Sequence, residues 1–203
     1  MQAALITLLL FAAALLCGGG DPAFAAALQR VGSCRTVAAD FTQTRWLRDL
    51  DMEVAIRGSM VSEKRGRLLW RVADPVPSVT LITDRKLLHW DGSTGKVAEL
   101  AADLPWLKLL RDSFIDCLSG DLENLSRHFA VEPVPPATLR LKPLTPELGK
   151  LYAGIEITID PKRDAVSRIV LDEPSGDRMT IRFDNVRRDP ATPESFWTIP
   201  PER

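Results

Sequence analysis

Asp51-Met52-Glu53-Val54-Ala55-Ile56-Arg57-Gly58-Ser59-Met60 and its continuation to Asp91 decide the fold of this chain. Met52, Val54, Ile56 and Met60 fall at every second position, with Glu53, Arg57 and Ser59 between them. Side chains alternate across a strand, so the pattern gives one wet face and one buried face. Glu63-Lys64-Arg65-Gly66 supplies a turn, with Gly66 free to take a positive φ. Arg67 to Val72 returns with Leu68, Trp70 and Val72 on one side. Asp74-Pro75-Val76-Pro77 interrupts, because proline cannot donate to a ladder. Val79–Thr83 and Leu87–Asp91 complete four successive strands with a greasy common surface.

Upstream, Ala3 to Leu16 is an apolar run of secretory length, and Ala23-Phe24-Ala25 has the small-x-small pattern of a cleavage site. Residues 1–25 therefore read as a signal peptide, with the mature terminus at Ala26, although the n-region lacks Lys and Arg. Cys17 offers a rival lipoprotein site, which Leu16 directly before it disfavours. Removing residues 1–25 leaves 178 residues with 26 basic and 26 acidic side chains. That balance excludes the basic stripe of a nucleic-acid binder and simple electrostatic adhesion to membranes. A chain of this size forms one domain with a real core.

Thr36 to Leu47 reads as the first strand, preceded by a short helix from Ala26 to Cys34 with Leu28 and Val31 on one side. From Leu104 to Leu118 the period becomes helical, started by Asp103 and Pro105. Trp106, Leu109, Leu110, Phe114, Ile115 and Leu118 cover more of that helix than a surface position needs. Asp121–Arg127 is a second short helix with Leu122 and Leu125 inward. Strands return at Leu139–Lys142, Ile155–Ile159, Val166–Leu171 and Met179–Asp184. Counting Lys96–Leu100, about ten strands result, as one curved antiparallel sheet with helices on its concave side.

Alternation assigns an apolar cavity wall to Val54, Ile56, Met60, Leu68, Trp70, Leu81 and Trp90 from the first strands. Ile157, Leu171, Ile181 and Phe183 join them from the last strands, and Trp106, Leu110 and Phe114 from the helix. Cys34 and Cys117 survive processing and form a possible disulfide, two buried thiols being the alternative. The only histidines, His89 and His128, lie far apart without ligand spacing, so no metal site is expected. No nucleophile elbow or phosphate loop is present, so no enzyme is expected.

Phe41-Thr42-Gln43, Gly58-Ser59-Met60, Leu69-Trp70 before Pro75, and Thr83-Asp84 leading to Trp90 occur in an order that resembles the LolA-like periplasmic outer-membrane lipoprotein carriers. Leu144-Thr145-Pro146, Ile155-Glu156-Ile157, Ile169-Val170-Leu171-Asp172, Gly176 to Ile181, and Phe183-Asp184-Asn185-Val186 extend the resemblance across residues 26–203. It implies a mainly β fold with α: an incomplete, half-open antiparallel β-barrel with a helical lid on the concave face. It further implies a periplasmic monomer without cofactor that carries the acyl chains of a lipoprotein or other acylated lipid. Its partners would be an inner-membrane transporter or exporter and an outer-membrane acceptor. A lipid-sensing or structural binding module is the alternative. The family's lid-latching arginine corresponds to Lys64 or Arg65 here, with Gly66 where the family has proline. These departures, with the Trp46-Leu47-Arg48-Asp49-Leu50 extension, suggest a divergent branch.

Overall fold

A computed structural model describes residues 22–64, 66–101, 112, 115–118 and 121–199. Helix α1 spans Pro22–Ser33, so the mature terminus expected at Ala26 falls inside it. Leu28 and Val31 pack into the core as their spacing predicts, and so do Phe24 and Ala27.

Among the described residues eleven strands follow: β1 (Thr36–Leu47), β2 (Met52–Glu63), β3 (Arg67–Asp74), β4 (Ser78–Ile82), β5 (Lys86–Asp91), β6 (Val97–Ala101), β7 (Phe129–Val134), β8 (Thr138–Pro143), β9 (Gly154–Asp160), β10 (Ala165–Asp172) and β11 (Arg178–Arg188). They form one open antiparallel sheet in the order β6-β5-β4-β3-β2-β1-β11-β10-β9-β8-β7. The first and last strands in the chain with long runs, β1 and β11, therefore meet at its centre, Phe41 opposite Phe183. Every other neighbouring pair is consecutive in sequence, which is why short turns suffice.

The count exceeds the expected ten by β7. Its Val131 is inward, but Pro133, Pro135 and Pro136 hide the period of two. Proline is tolerated there because β7 is an edge, where one side of the ladder needs no donor. Helix α2 (Leu122–His128) is the expected short helix; Asp121 caps it by accepting from the Asn124 amide at 3.3 Å. Helix α3 (Pro146–Gly149), which the alternation does not foreshadow, is capped by Thr145 and buries Leu148.

Two apolar layers result. The larger lies on the inner face, where α1, α2 and the helical residues 115–118 pack against β1–β3 and β7–β11. The smaller lies on the outer face and joins Ala38, Val61, Leu69, Val79 and Leu81 to Trp197. A 3-10 segment, Glu194–Trp197, straps that second layer down.

Candidate functional site

The inner face is built from cross-strand rows. Ile157, Ile169 and Ile181 stand side by side on β9, β10 and β11, and Ile155, Leu171 and Met179 form the adjacent row. Phe183 faces Phe41, and Met60 faces Trp70. Strand alternation holds each of these side chains on one surface, since a slip of one residue would invert them all. Ile157 and Ile169 are fully buried, and the row loses water contact along its whole length.

Of the residues expected to line a cavity, Ile56, Met60, Leu68, Trp70, Ile157, Leu171, Ile181 and Phe183 gather in this single cluster. Val54 continues the same side of β2 past Ile56 but is 41% exposed. Leu81 and Trp90 require correction. Both belong to the outer layer with Trp197, because Trp70 pairs with Thr80 and Thr80 with His89, which puts the even positions of β4 and odd positions of β5 inward. Alternation alone does not tell which face of β4 and β5 is the inner one, and the outer face also has an apolar layer to fill. Trp106, Leu110 and Phe114 lie outside the described residues.

Ile115, Cys117 and Leu118 from the helical segment and Leu125 from α2 are buried against the sheet. A small crevice among the described residues is lined in part by Cys34, Val37, Met60, Leu118 and Phe183.

Lys64, in the β2–β3 turn, ties this cover down. Its Nζ donates to the Gly32 carbonyl at the end of α1 at 3.0 Å and meets Asp121 Oδ2 at 2.8 Å. One ammonium thus joins three elements. Arg65, the other latch candidate, is outside the described residues. Asp116 sits nearby on the cover, its carboxyl pushed up to about 6 by burial and by the charges of Asp121 and Asp112, against the opposing pull of the Asn124 side-chain hydrogen bond and, more weakly, of Lys64.

The disulfide does not form in this structure: Cys34 and Cys117 are both free, buried thiols. Cys34 Sγ instead donates to the Thr36 carbonyl at 3.0 Å, while Cys117 packs within the inner cluster. Burial drives the Cys117 thiol far above its ordinary range, which keeps it protonated and unreactive. Among the described residues no cluster of three His, Cys, Asp or Glu side chains is placed to hold a metal ion, and no helix is long and apolar enough to cross a membrane.

The sheet resembles solved structures at low identity. A DUF1329 family protein from Desulfovibrio piger matches with a TM-score of 0.52 and 11% identity, covering 87% of this chain and 95% of that one. A LolA superfamily protein from Nitrosomonas europaea matches with a TM-score of 0.44 and 10% identity, covering 85% and 96%. At such identities the likeness concerns the fold. A search of curated proteins finds no match. The family model described as outer membrane lipoprotein carrier protein LolA matches residues 32–199, and the chain belongs to that family.

Proposed function

We propose that this protein is a periplasmic carrier that takes up the acyl chains of a lipoprotein or another acylated lipid and ferries them from the inner to the outer membrane. In this reading residues 1–25 are an export signal, an inner-membrane transporter or exporter loads the carrier, and an outer-membrane acceptor unloads it. The observation that carries the reading is the apolar inner face of β1–β3 and β9–β11 under a helical cover pinned through the half-exposed Lys64. Burial of ten methylenes is worth about 8 kcal/mol before ordering costs. Release needs much of that gain cancelled, and Ile115, Leu118 and Leu125 returning to the wall do so.

The experiment places a charge on either side of one strand. Ile181 is fully buried in the inner cluster, whereas Thr180 points outward. Ile181→Asp is expected to abolish acyl binding, since the carboxylate would have no partner in that wall. Thr180→Asp should leave it nearly intact. The readouts are co-purified lipid by mass spectrometry and displacement of an apolar fluorescent probe, on variants shown by circular dichroism to be folded. Equal behaviour of the two variants, or a wild type that binds no acyl ligand, overturns the carrier reading.

A further inference from the structure

The inner face is not apolar throughout. On β4 and β5 its inward positions are Ser78, Thr80, Ile82, Leu87, His89 and Asp91. Thr80 stands between Trp70 on β3 and His89 on β5 in one cross-strand row. Its Oγ1 lies 2.9 Å from His89 Nδ1, and both side chains are half-buried. This bond occupies Nδ1 and fixes the plane of the ring. With the threonine hydroxyl donating, the ring proton resides on Nε2, which has no partner among the described residues. A wall serving only to pack would place valine or isoleucine here, as β9 and β10 do.

We propose that Thr80 and His89 form the head-group subsite of the acyl site, with His89 Nε2–H donating to a carboxylate or phosphate oxygen of an anionic amphiphile. The inference rests on the acyl-binding reading and names the chemistry of the cargo's polar end. Adjacent strands are about 4.8 Å apart, so His89 stands about 10 Å from Trp70 across two strands. A chain lying over Phe41 and Trp70 would bring its head to that distance. Asp91 shares the face two residues along, but its carboxylate is turned into the following turn, accepting from the Ser93 amide at 2.8 Å and hydroxyl at 2.6 Å.

Three ligands with the same C16 acyl chain test the assignment: palmitate, palmitoyl lysophosphatidate and monopalmitoylglycerol, each displacing an apolar fluorescent probe from the full protein. The two anionic ligands should bind more tightly than the neutral one, and their relative affinities tell a carboxylate head from a phosphate head. His89→Leu should weaken both anionic ligands by about tenfold, the usual worth of a hydrogen bond to a charged group, and leave the neutral ligand unchanged. His89→Gln, which keeps an N–H near the same place, should recover part of the loss. Thr80→Val frees the ring and should produce a smaller, still anion-selective loss, which serves if His89→Leu does not fold. Equal binding of all three ligands by wild type, or an equal loss for all three in His89→Leu, overturns the head-group assignment while leaving acyl binding standing. Failure of every ligand to displace the probe overturns the acyl-binding reading, and this subsite with it.

Discussion

The rings of Phe41 and Trp70 stack with centroids 3.8 Å apart and planes 25° from parallel, although their strands are separated by β2. They meet because Gly58 lies between them, directly opposite Phe41 on β1 and Val72 on β3. A Cβ at position 58 would fall 1.8 Å from the Arg71 carbonyl oxygen and 2.9 Å from Phe41 Cζ. The missing side chain is therefore a structural requirement, and the stacked pair is the aromatic centre of the inner wall.

Gly58→Ala should cost about 3 kcal/mol, because the obstacle is backbone and must move. Denaturant unfolding measures it. A loss under about 0.5 kcal/mol would mean that β2 and β3 separate easily, and that the stacking is not held by this close approach.

The Lys64 contacts predict a kinetic effect larger than their thermodynamic one. An ion pair with one half-exposed partner contributes about 1 kcal/mol or less to stability. Lys64→Met should thus barely change the unfolding midpoint, yet speed uptake of an apolar probe several-fold, because the cover opens more often. Lys64→Arg should stay near wild type. Stopped-flow fluorescence decides: unchanged uptake in Lys64→Met would remove the latch role.

Asp116 gives a pH dependence whose sign is fixed by the raised value of about 6. The folded state holds this proton more tightly than the unfolded chain, so Asp116 favours folding below its ordinary value of 3.8, and that contribution is lost as pH rises through about 6. Asp164 and Asp189 act oppositely, their carboxyls held low, the first by the Arg30 hydrogen bond and the second by the Thr36 and Arg35 amides. The test is consequently a difference. Asp116→Asn should gain stability relative to wild type between pH 4 and 7, and parallel curves for the two proteins would refute the assignment.

Much of the sheet was legible because its period of two is strong. Thr36–Leu47 is the first strand as read, and Leu122 and Leu125 point inward from α2 as read. What alternation does not reveal is which face of a strand meets which layer. On β2 and β3 the larger apolar side chains, Met60 and Trp70, face inward while Val61 and Leu69 join the outer layer, but on β4 and β5 the larger side chains, Leu81 and Trp90, serve the outer layer. His89 and Thr80 are hidden for the same reason, since a polar position between two apolar ones reads as the wet face. The partner of that outer layer, Trp197, lies more than a hundred residues away, and no local pattern announces it.

That distant partner supplies the last prediction. Trp197 is buried on the outer face, with the Arg67 guanidinium 4.5 Å above its ring. Arg67 is itself held by Glu63 at 2.9 Å and by both oxygens of Glu194 at 2.9 Å. Arg71 fixes the residue before Trp197, donating to the Phe196 carbonyl at 3.1 Å. Trp197→Ala should remove about 3 kcal/mol and lower Tm by about 10 °C, since Leu81, Val79 and Leu69 lose their cover. Acyl binding at a temperature where the variant is folded should be unaffected, because the sheet separates this layer from the inner wall. Calorimetry with the probe-displacement assay reads both quantities on one sample. Loss of acyl affinity in folded Trp197→Ala would show that the two faces are coupled through β3 and β4, and the inner wall could no longer be treated as an independent site.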